Sequence, residues 1–430
     1  MKCQIVFRLI PVLLFFLAEK AIGCSMYKVT AHGKTLMGSN YDAWYLHPRI
    51  WFENARKPGE TGVAFTGARD DGANGVAPQS ALNEAGLSFS GAAIPPLPKS
   101  MADSRKVPIT NRTQYLKDIM HTCKTVEEVK AYIEKYDYGN LPDDIFLYAD
   151  ASGKYLVVEP GIMTLGSDLS YAASNFCPSF TTKDQALNMS KYRKGLIFLE
   201  KTPDSSLAFC SALSDTMSVS RPKLGDGTLL TIIRDLNDGI LHLYFYHDFT
   251  RKVSFHLKTE LAKGDHMLSV AALFPPNANF EKLQGFHTPQ HSPRLVVLML
   301  VMVGFLALSG FLFLIWFAMG WKQNQHRFVP LFLFVLSELA AFYMLILTRK
   351  EPVFFFPAPY HDPHSEVFSA AAYIPFLVVL SLILLLWLNR KLFRLKWWPG
   401  FFRWLLVCEN VVLLLCAGLF AYWGFYSVWG

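Results

Sequence analysis

Charged side chains are scarce in this chain: Asp, Glu, Lys and Arg make up 17% of 430 residues, while hydrophobic residues make up 52%. That balance excludes a wholly water-soluble protein. Cysteine is scarce as well, at seven, which excludes a disulfide scaffold. Cys3 lies in the leading apolar segment, and Cys408 and Cys416 lie in the last apolar run. One bridge among Cys123, Cys177 and Cys210 stays open. There is no internal repeat and no low-complexity tract. A nucleic-acid signal is missing too, although the formal charge is +7. Lys322, Arg327, Arg390, Lys391, Arg394, Lys396 and Arg403 account for that whole excess, and all sit in short loops between apolar runs. The charge therefore reports membrane topology rather than affinity for phosphates. His361-Asp362-Pro363-His364 comes nearest to a metal motif. It lies in a proline-rich loop with no further ligands, so neither a metal nor another cofactor is expected.

What the chain does have is long apolar runs. Four of them, near 295–318, 328–348, 367–388 and 402–424, each match the roughly 20 helical residues that cross a bilayer core. At the start, Lys2 and Arg8 precede an apolar stretch from Ile10 to Ala18, followed by the small residues of Ala21-Ile22-Gly23. This is the pattern of a secretory signal cut after Gly23, with an uncleaved anchor as the other reading. Export of the segment that follows sends the first span from outside to inside. The inner loops then hold seven Lys/Arg, against Arg349 and Lys350 in the outer loop, as the positive-inside rule requires. The expected organisation is a signal over 1–23, an exported domain over 24–275, a linker over 276–293 and a four-helix membrane domain over 294–430. The protein is thus expected to be multi-pass, with its large domain on the extracytoplasmic side. Glu338 and Glu409, with Asn410, fall inside spans, where a carboxylate is costly. Glu409 is near enough to the inner end of its span to snorkel. Asn111-Arg112-Thr113 and Asn188-Met189-Ser190 are glycosylation sequons in a eukaryotic host.

The exported part reads as α+β. SMYKVTA and TLMGSNY alternate as strands joined through His32-Gly33. IFLYAD and KYLVVEP flank Ala151-Ser152-Gly153, and LLTIIRDL and ILHLYFYHD flank Asn237-Asp238-Gly239, a strong hairpin signal. TVEEVKAYIEKYD is predicted helical, with Thr125 and Glu128 as a capping box, and SKYRKGLIFLEK is a second helix. Antiparallel hairpins interspersed with helices predict sheets packed against helix layers.

A cut after Gly23 leaves Cys24 first, carrying both a thiol and a free α-amine. The amine has a reference pKa of about 7.7–8.0 and takes a thiol proton near neutrality without any histidine. Such a nucleophile needs a carboxylate to orient the amine, donors for the developing oxyanion and a cation nearby. Two other readings stand beside it: a lipid attached at Cys24, for which Ala-Ile-Gly-Cys is a weak lipobox, and an ordinary first residue.

CSMYKVTAHGKTLMGSNYDAW resembles the opening of the N-terminal nucleophile amidohydrolases. That family includes choloylglycine hydrolases, penicillin V acylases, acid ceramidase and acyl-CoA:6-aminopenicillanic acid acyltransferases. Gly38-Ser39-Asn40-Tyr41-Asp42 matches its Gly-Arg/Gln-Asn-x-Asp run, with Asp42 eighteen residues after Cys24. SALNEAGLSFSG resembles its Asn-Glu-x-Gly-Leu segment, and FLYADASGKYLVVEP its mid-domain hairpin. YAASNFCPSF resembles the strand end that carries an oxyanion asparagine, and SVSRPKLGDGTLLTIIRDL a late Ser-x-x-Arg segment. The resemblance spans 24 to about 262 and leaves out the membrane part. It implies a four-layer αββα sandwich and hydrolysis of N-acyl amides through a thioester. It makes Cys24 the nucleophile, Asp42 the amine's partner, Asn175 the oxyanion donor and Arg221 the supporting cation, with Arg193 as a competitor. An acylated, bilayer-associated small molecule is the expected substrate. An acyltransferase, and a non-catalytic membrane sensor with a relict fold, are the alternatives. Two departures stand out: Ser39 replaces the arginine of bile-salt hydrolase and ceramidase relatives, and Ala93 stands where choloylglycine hydrolases carry a second asparagine.

Overall fold

Strands Ser25–Ala31 and Lys34–Ala43 form the first expected hairpin. Its turn is His32 at φ 50° and Gly33 at φ 74°, a left-handed pair whose twist suits a tight antiparallel turn. The computed structural model describes residues 23–95, 105–138, 143–200, 203–220, 226–319, 328–362, 365–395 and 398–427. The expected signal segment up to residue 22, together with Arg221, lies outside the described residues.

Two antiparallel sheets are stacked. The first runs, edge to edge, Ser170–Ser174, Ser25–Ala31, Lys34–Ala43, Gly227–Asp235, Ile240–Phe245 and Asp248–His256. The second runs Ile162–Gly166, Tyr155–Glu159, Asp144–Ala149, Ser88–Ala93, Ser80–Asn83, Val63–Gly67, Arg49–Glu53 and His266–Ser269. Alternation along each strand sorts side chains between faces. Met26, Met37 and Ile232 meet Phe52, Leu82 and Leu147 between the sheets. On the outer face of the second sheet, Phe65, Phe89 and Tyr148 pack under helices Arg112–Thr122 and Val126–Ile133. On the outer face of the first, Tyr27, Val29 and Ile233 pack under Leu196 and Leu213, from helices Ser190–Leu199 and Leu207–Thr216. The result is the expected αββα order.

Three details differ from expectation. Thr125 caps its helix by accepting from the Glu128 amide at 3.3 Å, but Glu128 reaches back to the Lys124 amide at 2.7 Å rather than to Thr125. Cys123, Cys177 and Cys210 are all thiols and lie in three separate packing layers. That separation excludes the bridge left open above, and burial pushes each thiol up to about 12. The third difference concerns 276–293, expected as a plain linker. It holds the helix Ala278–Gln284, with Phe280, Leu283 and Thr288 buried.

Helices Pro293–Met319, Phe328–Leu347, Glu366–Leu395 and Gly400–Tyr422 are long and apolar enough to cross a membrane. The third is interrupted at 372–373, ahead of Pro375, between segments Glu366–Ala371 and Ile374–Leu395. Trp423 Nε1 donates to His287 O at 3.2 Å, Gln290 Nε2 donates to Leu347 O at 3.1 Å, and His291 pairs with Glu351 at 3.3 Å. These contacts gather the ends of the second and fourth helices against the segment 287–291, which leads into the first. Glu409 does not snorkel: it is fully buried and accepts from Ser337 Oγ at 2.5 Å. Glu338 instead lies against Gly310, where an added Cβ would come within 3.0 Å of its Oε1.

Candidate active site

Strand register builds the site. Ser25 pairs with Ser174 on one side and Asn40 on the other, so Cys24, one residue earlier, falls between Asn175 and Tyr41. Asp42 pairs with Thr228 on the next strand. Because faces alternate, the Cys24 side chain joins the layer between the sheets, where it is 8% exposed. Asp42 takes the opposite face, beneath the backbone of residues 23 and 24. Gly23 is packed so closely there that a Cβ would stand 2.8 Å from Asp42 O and 2.9 Å from Asp42 Cβ.

Asp42 is buried and doubly held. Oδ1 accepts from Thr228 Oγ1 at 2.6 Å, and Oδ2 faces Lys191 Nζ at 3.3 Å. Thr228 Oγ1 in turn accepts from the Val219 amide at 2.9 Å, which fixes its rotamer. Lys191 ties the cluster together. Its ammonium donates to Cys24 O at 2.8 Å, to Asn175 Oδ1 at 3.2 Å and to Gly23 O. Ser174 Oγ supplies a second donor to Cys24 O at 2.9 Å. With Oδ1 turned to a cation, the Asn175 amide has one orientation left. Its Nδ2 points across to the second sheet and donates to Ala93 O at 2.6 Å.

Of the residues singled out in the sequence, Cys24, Asp42 and Asn175 converge. Arg193 does not join them: its Nη1 bonds Leu187 O at 3.4 Å, on the exposed side of its helix. Arg221 lies outside the described residues. Lys191 is the candidate that sequence reasoning missed, and its orientation shows only in the packing of its helix. Gly195 abuts Met217, where an added Cβ would meet the sulfur at 2.5 Å. That glycine marks the packed face of the helix, and Lys191 lies four residues before it on the same face. Ser39, the first departure noted above, accepts from Arg234 Nη2 at 3.0 Å. Arg234 is wholly buried between the sheets, also donating to Ser90 Oγ and Phe89 O, and burial pushes its guanidinium down to about 9. Beside it, Ser39, Tyr41, Thr66, Ser80 and Ser90 line a cavity of about 10 Å³, room for a single water.

Aromatic rings run outward from Tyr41. Tyr41 stacks on Tyr45 with centroids 6.4 Å apart, and Tyr45 on Trp44 at 5.8 Å. Trp44 stacks on Phe355 at 5.4 Å and meets the edge of Phe356 at 5.6 Å. Both phenylalanines belong to the segment between the second and third long apolar helices. Burial pushes the Tyr45 phenol up; Arg69 opposes this, while Glu351 and Cys24 add to it.

No family model matches the chain, and no curated protein matches it. Among solved structures it is similar to a mutant of conjugated bile acid hydrolase from Clostridium perfringens. The identity is 16% and the TM-score 0.44, over 59% of this chain and 97% of that one. A second variant of that hydrolase gives 17% and 0.43 over the same shares. Penicillin V acylase from Agrobacterium tumefaciens gives 14% and 0.37, over 52% of this chain and 82% of that one. These are what the chain is similar to.

Proposed function

We propose that the chain is an exported, membrane-held hydrolase of linear amide C–N bonds, unmasked by removal of residues 1–23, with Cys24 as nucleophile. The observation that carries this reading is the convergence on residue 24 of a buried carboxylate, an amide and an ammonium from three separate elements. Gly23 packs against Asp42, so an α-amine created at Cys24 would emerge beside that carboxylate. The amine takes the thiol proton, and the thiolate adds to the carbonyl carbon of the substrate. Asn175 Nδ2 has a second hydrogen besides the one given to Ala93 O, and with backbone donors it holds the oxyanion. As the C–N bond breaks, the ammonium returns its proton to the departing amine, leaving a thioester on Cys24. Water, deprotonated by the same amine, then attacks the thioester, releases the carboxylic acid and restores the thiol. Lys191 balances Asp42 and fixes the Cys24 carbonyl throughout.

N-terminal sequencing with intact mass tests the first step. A free Cys24 amine is expected; a diacylglyceryl adduct or a Met1 start overturns the mechanism. Cys24→Ala then loses all release of fatty acid from N-acyl amides. Asn175→Ala lowers kcat by about 10²–10³-fold while KM stays close to wild type, as for loss of one oxyanion donor.

A further inference from the structure

The ring contacts continue beyond Phe355. Phe286 lies 6.0 Å from Phe355 and stacks on Tyr422 at 6.0 Å. Tyr422 ends the fourth membrane helix and is 54% exposed. A run of rings, Tyr422, Phe286, Phe355, Trp44, Tyr45 and Tyr41, therefore leads from the exposed end of the fourth apolar helix to the residue beside Cys24. Side chains of this kind offer a flat apolar surface with polar edges, suited to the boundary between acyl chains and headgroups. Within this run the Trp44 indole N–H is buried and meets no acceptor among the described residues. A buried donor of that kind costs free energy for as long as it lacks an acceptor.

We propose that the membrane domain builds one wall of the catalytic mouth, and that the acyl chain of a bilayer-resident N-acyl amide lies along Trp44, Tyr45 and the Phe355–Phe356 corner. The inference rests on the hydrolase reading above and names its substrate class: long-chain amides that enter sideways from the membrane. Short-chain amides reach Cys24 from water and make no use of this wall.

The test uses the full chain in phosphatidylcholine vesicles. A palmitoyl amide is embedded in the bilayer, and a water-soluble butyryl amide of the same amine serves as the second substrate. Phe355→Ala/Phe356→Ala is expected to lower kcat/KM on the palmitoyl substrate at least about tenfold and to leave the butyryl substrate within about twofold. Equal losses on both, or none on either, overturn the proposal while leaving Cys24-dependent hydrolysis standing. Absence of any Cys24-dependent turnover by the wild type overturns the hydrolase reading, and this inference with it. Should the double variant fold poorly, a palmitoyl amide with a terminal diazirine is photolysed on the Cys24→Ala chain. Label in peptides containing Phe286, Phe355 or Tyr422 is expected, and label confined to the layer between the sheets overturns the proposal.

Discussion

Lys191 and Asp42 form a nearly dry ion pair, their side chains 10% and 0% exposed. Removing one member of such a pair leaves the other charge uncompensated. Lys191→Ala is therefore expected to lower stability by about 3 kcal/mol, the lower end for a broken buried pair, read as a fall in the denaturant midpoint at constant slope. Lys28 makes a different prediction. It is buried between the sheets, donating to Gly153 O at 2.7 Å and Thr30 Oγ1 at 3.2 Å, and burial pushes its ammonium down from 10.5 to about 8. Between pH 8 and 10.5 the unfolded chain then binds more protons at this residue than the folded one, so stability rises with pH across that window. Lys28→Met removes the rise; unfolding midpoints of the two chains measured at pH 8 and pH 10 show whether it does. The position of Asp42 was legible because a hairpin of fixed length returns the chain to residue 24, and that of Asn175 only through the resemblance of YAASNFCPSF to a family strand end. Lys191 was not, because a lysine on a short amphipathic helix ordinarily faces water, and only the packing of Gly195 reveals that this one turns inward.

At the scale of elements, hairpins and the long apolar helices were legible, since alternation over five or more residues and apolar runs of about 20 are strong periodic signals. The helix Ala278–Gln284 was not: it buries only Phe280 and Leu283, too few for a period to register between flanking prolines. The membrane helices carry their own prediction. Ser337 and Glu409 bond in the interior of the bundle. Glu409→Ala is expected to weaken association of the second and fourth helices by about 1 kcal/mol, the scale of interhelical hydrogen bonds in lipid. Refolding equilibria in mixed micelles measure it, and Glu409→Gln, which keeps an acceptor for Ser337, is expected to recover most of the loss.

For the whole molecule, export as proposed above requires the sheet domain and the two basic loops to face opposite sides of the membrane. A cysteine introduced at Gln323 is expected to react with an impermeant maleimide only after the membrane is opened. One introduced at the exposed Lys57 is expected to react in intact cells. Equal labelling of the two would refute export of the sheet domain. Local pattern along the chain gave sheets packed against helix layers, and the four-layer sandwich was what the family resemblance implied. The meeting of Trp44 with Phe355 was legible in neither, because the two lie more than three hundred positions apart and each alone is an ordinary aromatic residue.

That meeting has a kinetic consequence. On the reading proposed above, an enzyme whose entrance is walled by its own membrane helices would sample substrate per unit of area, not per unit of volume. Its rate then follows the mole fraction of amide in the surrounding leaflet. Diluting that leaflet with inert lipid slows the reaction even when the total amount of substrate in the tube is unchanged.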